Sequence, residues 1–148
     1  MTYGCKNFEI ADSGVLEQLS EVRLDMVADD IETYEFKRHL SYLLGNNSKA
    51  FGRYKLKVDF EKNSSTIAIQ KDSDNLRENI EFKVFFKLYE VGTDKLLYSG
   101  KFRQINSYNA LFSPYSTNLE IGQTNINLYK ACAEELRRKL IIFLKTKK

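Results

Sequence analysis

The residues of this sequence that could carry out catalysis or bind a metal are few and far apart. The single histidine, His39, lies between Arg38 and Leu40 on the predicted polar side of a helix. A general base needs an orienting partner and a reacting group within reach, and the sequence places no such set around His39. One histidine and two distant cysteines form no zinc pattern, and the scattered glycines form no phosphate-binding loop. We therefore expect no enzymatic activity, no metal site and no cofactor.

The two cysteines, Cys5 and Cys132, are too few for a disulfide framework, and nothing in their spacing argues for a bond between them. Cys132 lies between Ala131 and Ala133 in a helical segment, where it is expected to pack as a small apolar residue. Cys5 follows Gly4 in a polar segment near the first residue. Its immediate neighbours alone predict an exposed thiol.

Basic residues on the predicted strands are the remaining candidates for a binding site. They recur at every second position, which places each group on one side of its strand. The groups are Arg53, Lys55 and Lys57, then Lys83 and Lys87, then Lys101 and Arg103. If these strands are neighbours, one sheet face combines them with Phe85 and Tyr89. Such a face could hold an anionic, partly apolar ligand, could stack single-stranded nucleic acid, or could be an ordinary solvated surface.

Composition limits the class of protein. The 148 residues are 43% hydrophobic, which is enough for a core, and the net charge of +3 is far below that of a dedicated nucleic-acid binder. No stretch is long and apolar enough to span a membrane, and no intact signal peptide is present. If the protein is exported, its export signal is absent from this chain.

Hydrophobic spacing predicts the elements that position these residues. We expect residues 1–18 to be irregular, a helix preceded by Asp29 and Asp30 as capping residues and ended at Gly45, and a long C-terminal helix with Glu134–Arg138 and Glu135–Lys139 pairs. Strict alternation predicts strands near residues 22–26, 54–61, 80–89 and 96–105. Ile67 and Ile69 would continue the second strand after a bend. Residues 71–79 and 106–118 are predicted loops, residues 92–94 a turn, and Leu96, Tyr98 and Phe102 are expected on one face.

The order strand, helix, three strands, helix predicts an α/β fold of the α+β two-layer sandwich type. Its sheet would have about four strands, mixed because the first crossover helix makes the first two strands parallel. Each helix has a single apolar stripe, so both helices should cover the same sheet face. We expect one such domain over residues 19–148, after the irregular segment 1–18.

This layout resembles the lipopolysaccharide-assembly lipoproteins of Gram-negative outer membranes, the LptE (RlpB) family. The similar features run in order from about Leu19 to the C-terminus. They are residues 22–26, 36–40, 54–58, Arg77, residues 84–89, the turn at 92–94, residues 107–109 and the Ala-rich helix at 131–136. The resemblance covers most of the chain. It depends on the order and spacing of these features more than on any single motif.

The resemblance implies a non-enzymatic lipoprotein on the periplasmic face of the outer membrane, anchored only through lipid on Cys5 of the native precursor. Such a protein binds lipopolysaccharide, and it assembles with and plugs an LptD-type β-barrel to deliver lipopolysaccharide to the outer leaflet. The residues of the family that contact lipopolysaccharide do not transfer by motif. Our candidates are Lys95, Lys101 and Arg103, chosen because they lie at or after the hairpin turn.

Two other functions stay open at this point. One is a different small envelope lipoprotein of similar fold that serves another complex. The other is a cytoplasmic module that binds single-stranded nucleic acid through the basic, aromatic sheet face, although we expect no nucleic-acid partner. An enzyme ranks last.

Overall fold

Three helices and four strands make up the part of the chain that the computed structural model describes, residues 13–45, 52–68, 76–110 and 114–146. The helices are α1 (Ser13–Ser20), α2 (Ile31–Leu43) and α3 (Pro114–Thr146). The strands are β1 (Val22–Asp25), β2 (Tyr54–Ala68), β3 (Leu76–Glu90) and β4 (Lys95–Ala110). The predicted order from β1 to α3 is confirmed, and α1 precedes it.

The strands form one mixed sheet in the order β1-β2-β3-β4. β1 runs parallel to β2, with Val22 opposite Tyr54, and the other neighbouring strands are antiparallel. Alternate residues of β2 and β3, such as Leu56 and Phe82, are buried with residues of all three helices in one core. We name this side of the sheet the covered face and the opposite side the open face. The predicted two-layer α+β class is confirmed.

The prediction that residues 1–18 are irregular is wrong from Ser13 onward, because α1 begins there. Val15 and Leu19, four residues apart, are 6% and 2% exposed, and α1 packs against α3. A helix this short is unstable alone, so tertiary burial of one apolar side decides its conformation. The first twelve residues, including Cys5, lie outside the described part.

Three of the strands, β2, β3 and β4, are also longer than predicted. β2 continues without interruption to Ala68, so the expected bend before Ile67 is absent, and β3 begins at Leu76, inside the predicted loop 71–79. β4 extends to Ala110 and α3 begins at Pro114, which shortens the predicted loop 106–118. Pairing between long neighbouring strands keeps these polar residues extended, since sheet context outweighs local preference. Proline suits the first turn of a helix.

Aromatic rings fill the covered face in two groups. The ring of Phe60 lies between those of Phe36 and Phe82, with centroid distances of 5.0 and 4.8 Å, and Phe82 stacks on Tyr129 of α3 at 5.3 Å. Nearer the hairpin turn, a second group contains Phe86, Tyr98, Phe102 and Phe143. These contacts join α2, the sheet and α3 into one core.

A bulge in β4 corrects the predicted position of Leu96. The register shifts between Leu88 and Tyr89, so that Leu88 faces Tyr98 and Tyr89 faces Leu96. Leu97 is therefore the extra residue, and it packs against the core while Leu96 is 47% exposed. Tyr98 and Phe102 lie on the covered side as expected.

The ends of α2 form as predicted. Asp30 Oδ1 accepts a hydrogen bond of 2.7 Å from the Thr33 amide, and Gly45 ends the helix with a left-handed φ of 69°. In α3 the predicted Glu135–Lys139 pair is present at 3.5 Å. The predicted Glu134–Arg138 pair is not, because Arg138 bonds both carboxylate oxygens of Glu135.

Candidate ligand-binding face

The open face of the sheet collects the basic residues that alternate with the core residues of β2, β3 and β4. The register places them in rows that cross the sheet. Lys57 lies opposite Lys87, Asp59 opposite Phe85, and Phe85 in turn opposite Lys101. The next row runs from Glu61 through Lys83 to Arg103. The predicted neighbourhood of the three basic groups is therefore confirmed.

The lysine groove is an open depression of about 500 Å³ on this face. Its polar lining includes Lys57, Lys87, Lys101, Asp59 and Ser99, and its apolar lining comes from Phe85, Phe86, Tyr89 and Gly100. Three ammonium groups thus share one depression with one carboxylate.

Tyr89 contributes an aromatic ring to the lining of this groove. The Nζ atoms of Lys55 and Lys57 lie 5.9 and 5.8 Å from the centroid of its ring. The electron-rich face of the ring attracts both ammonium groups and helps to hold the two lysine side chains over the sheet. The result is a half-buried aromatic surface bordered by positive charge.

The direct pairing of Lys57 with Lys87 is unfavourable in the free protein, because like charges opposite each other on one sheet face repel. An anion bound between them removes this repulsion and gains charge-assisted hydrogen bonds. Lysine suits a phosphate group as a flexible point charge. The groove can therefore bind a phosphate-bearing ligand whose apolar part lies along Phe85 and Tyr89.

The arginine groove lies next to the lysine groove, with a volume of about 340 Å³. It is lined by Lys83, Phe85, Lys101, Phe102 and Arg103. Arg103 donates a hydrogen bond of 2.8 Å to Glu81, and this bond is the main cause that lowers the pKa of the Glu81 carboxyl. Arg103 is thus already engaged by a carboxylate, whereas Lys101 faces both grooves.

The structure separates the three residues that the sequence analysis named for ligand binding. Lys101 lines both grooves and Arg103 lines one. Lys95 follows the turn between β3 and β4 and lines neither groove. Lys57 and Lys87 line the lysine groove together with Lys101. The alternation predicted that both lie on this face, but they were not among the predicted ligand contacts. Only the register between β2, β3 and β4 brings them together.

The other titratable groups of interest are structural. Cys132 is fully buried, and burial raises the pKa of its thiol to about 12, which keeps it protonated and unreactive. Burial likewise raises the pKa of Tyr129, assisted by the charge of Glu32. His39 was placed on the polar side of α2 by its spacing. Its side chain is in fact half-buried, and its Nε2 has no hydrogen-bond partner among the described residues.

The described residues contain neither a candidate metal site nor a candidate membrane-spanning helix. No three His, Cys, Asp or Glu side chains there come together in a way that could hold a metal ion. None of the helices in those same ranges combines the length and apolar composition needed to cross a membrane.

Comparison of sequences relates the chain to a bacterial protein, RP188. No family model matches the sequence. Over 113 residues the chain is 41% identical to a protein of Rickettsia prowazekii named Uncharacterized protein RP188, and the match covers 76% of this chain and 71% of that protein. The chain belongs to the same family as RP188.

Comparison of structures relates the fold to bacterial lipoproteins. A candidate lipoprotein from Caulobacter crescentus CB15 superposes with a TM-score of 0.73 at 18% identity, over 92% of this chain and 98% of that one. The rare lipoprotein B of Shewanella oneidensis superposes with a TM-score of 0.58 at 11% identity, over 80% and 92% of the two chains. At these identities the likeness concerns the fold. The resemblance to the LptE (RlpB) family is confirmed at that level.

Proposed function

We propose that this protein is a non-enzymatic outer-membrane lipoprotein of the LptE kind, which binds lipopolysaccharide through the open face of its sheet. In this proposal it lies on the periplasmic face of the membrane and is anchored by lipid on Cys5. It assembles with an LptD-type β-barrel, plugs it, and helps deliver lipopolysaccharide to the outer leaflet.

The observation that carries the proposal is the lysine groove. Lys57, Lys87 and Lys101 offer three ammonium groups beside the rings of Phe85 and Tyr89. Lipopolysaccharide combines phosphates with acyl chains, so it matches a surface where cations border apolar contact area. The exposed Leu96 lies opposite Tyr89 and extends this apolar area toward β4.

The shared fold supports the placement in the envelope. The solved structures of this fold named above are described as lipoproteins or candidate lipoproteins. Cys5 is the residue that would carry the lipid. One acyl chain binds a membrane weakly and reversibly, so stable anchoring needs more than one chain on that cysteine.

A binding experiment with charge-reversal variants tests the groove. We expect Lys57→Glu and Lys101→Glu each to weaken binding of purified lipopolysaccharide by about tenfold, because a charge-assisted contact becomes a repulsion. Lys130→Glu is the matched control, since Lys130 is exposed on α3 and makes the same change in net charge. Equal weakening by all three variants would mean that net charge alone controls binding, and the groove would be rejected as the site.

The same variants also test the alternative function, which is binding of single-stranded nucleic acid. If the face binds single-stranded nucleic acid, oligonucleotide affinity should fall steeply with salt and with each substitution in the groove. Lipopolysaccharide binding without oligonucleotide binding at low salt favours the proposal. The reverse result contradicts it.

The barrel and anchor parts of the proposal need cellular experiments. We expect the native full-length protein to co-purify from membranes with a large outer-membrane β-barrel, and to incorporate a clickable fatty acid that is lost in Cys5→Ser. Normal surface lipopolysaccharide after depletion of the protein would instead favour a lipoprotein that serves another envelope complex. Recovery of unlipidated native protein in the cytosol would overturn the proposal.

A further inference from the structure

The outer edge of β4 is a long stretch of backbone that no other strand pairs with in the described part of the chain. β4 is the last strand of the sheet, and β3 occupies only one of its sides. An edge strand with free amide and carbonyl groups is a template for another extended segment, so natural proteins usually shorten, cover or use it. This edge is therefore a candidate interaction site.

Alternation along the strands identifies which backbone groups point outward. The Val91 amide donates to the Arg53 carbonyl at 2.9 Å, so the odd-numbered residues of β3 turn toward β2 and the even-numbered ones toward β4. Even residues of β3 lie opposite even residues of β4, such as Phe86 opposite Gly100 and Val84 opposite Phe102. The odd residues of β4 after the bulge, from Ser99 to Ile105, thus direct their amides and carbonyls away from the sheet.

A side-chain hydrogen bond at Ser107 supports the same direction independently. The Ser107 amide donates to Asn106 Oδ1 at 2.9 Å, which an amide inside the β3–β4 ladder would not be oriented to do. The amide is satisfied locally by its neighbour, and the side chain of Asn106 limits the free edge at this point. The available stretch runs from Ser99 to Ile105.

The side chains of this stretch define what can pair with it. On the open side Lys101 and Arg103 are exposed, and Ile105 next to them is 50% exposed. Opposite charges on directly facing residues of neighbouring strands attract, and like charges repel. An incoming strand should therefore carry acidic residues at the alternate positions that lie opposite Lys101 and Arg103.

Pairing of two copies through this edge is disfavoured by the same charges. When residues 99–105 of two chains pair antiparallel over their full length, each Lys101 lies opposite Arg103 of the second copy. The two positively charged residues of each facing pair then repel each other. The edge thus works against self-association while remaining open to an acidic segment.

We propose that the β4 edge from Ser99 to Ile105 is a docking site for an extended acidic segment of another protein, which adds to the sheet as a fifth strand. Main-chain hydrogen bonds would supply much of the affinity, and Lys101 would select the acidic partner, with a smaller contribution from Arg103, which already bonds Glu81. The proposal does not depend on lipopolysaccharide binding, because its main-chain contacts lie at the edge of the sheet, although Lys101 also lines the lysine groove.

A synthetic peptide tests the site with two variants at one position. The probe is a fluorescein-labelled ten-residue peptide of alternating Glu and Val, and the control peptide alternates Lys and Val. Ile105→Pro removes an outward amide without removing a bond to β3, whereas Ile105→Ala keeps the amide and is the matched control. We expect the acidic peptide to bind about tenfold more tightly than the basic one, and Ile105→Pro to weaken it about tenfold relative to Ile105→Ala.

Several outcomes would overturn the proposal. They are no binding of the acidic peptide at about millimolar concentration, equal affinity for both peptides, or equal binding by the proline and alanine variants. Sedimentation that shows a dimer abolished by Ile105→Pro would assign the edge to a second copy instead. If Ile105→Pro melts early, the acidic peptide methylated on the backbone nitrogens facing β4 replaces it as the test, and undiminished binding would reject the docking site. Lipopolysaccharide binding should be equal in both variants.

Discussion

Phe82 and Phe85 lie three residues apart on β3 and face opposite sides of the sheet. On the covered face Phe82 is fully buried between the rings of Phe60 and Tyr129. On the open face Phe85 is half-buried and lines both grooves beside Lys101. Phenylalanine therefore lies in a packed core on one side of the sheet and on an accessible surface beside basic residues on the other.

Within one strand, residues on the covered face therefore contribute mainly to stability, and residues on the open face mainly to ligand binding. Removing a side chain from the covered face leaves a cavity among residues of α2, the sheet and α3. Removing one from the open face changes mainly the ligand surface. The open face even keeps an unfavourable feature, the pairing of Lys57 with Lys87. A face that accepts such a cost is typical of a binding surface, where function and stability compete.

Phe82→Ala and Phe85→Ala test the comparison most strongly. We expect Phe82→Ala to lower the free energy of unfolding by about 3–5 kcal/mol, because it deletes a buried ring from a packed aromatic group. Phe85→Ala should lower it by less than about 1 kcal/mol and weaken lipopolysaccharide binding instead. Urea unfolding measures the first effect and ligand titration the second. Similar losses of stability in both variants would contradict the division between the faces.

Gly100→Val tests how tightly the core is packed where β4 meets the ring of Phe86. A Cβ at Gly100 would lie 2.9 Å from Cζ of Phe86, whose ring is 2% exposed and held by its neighbours. We expect a loss of about 1–3 kcal/mol, since the ring must shift within the core. Thermal or urea unfolding measures the loss. Ser99→Val, one residue earlier and exposed, is the control and should unfold like the native protein.

Asp30→Ala should cost about 1 kcal/mol at neutral pH, because it removes the cap of α2. The hydrogen bond from the Thr33 amide is the main cause that lowers the pKa of Asp30. Its contribution is therefore complete above the ordinary aspartate pKa of 3.8 and is lost as the pH falls through the lower folded-state value. Unfolding of both proteins at neutral and acid pH should show the difference shrinking in acid. A difference independent of pH would show that the charge of Asp30 is not involved.

Lys87→Gln is expected to have the smallest effect on stability, and in the opposite direction. Removing one charge from the Lys57–Lys87 pair at Lys87 leaves the contact of Lys57 with Tyr89 in place, and should raise the free energy of unfolding by about 0.3 kcal/mol in low salt. The same change should weaken lipopolysaccharide binding, so the two measurements would move apart. A stabilised variant that binds as well as the native protein would remove Lys87 from the site.

Local patterns predicted much of this architecture and part of the site. Alternation placed Lys57, Lys87 and Phe85 on one side of their strands, and Asp30 and Gly45 marked the ends of α2. The same patterns missed α1 and extended two loops too far. Each error concerns a segment whose conformation depends on distant partners, such as α1 against α3.

The sequence alone is enough to place each residue on one side of its strand, because that side follows from the two-residue period of extended backbone. It thereby separated Phe82 from Phe85 and basic residues from core residues. Which basic residues meet was decided only by the tertiary structure. The register that places Lys57 beside Lys87, and the bulge at Leu97 that exposes Leu96, arise from pairing between strands far apart in the chain. Burial of one face under three helices selects that register, since a slip of one residue would turn every core side chain toward water.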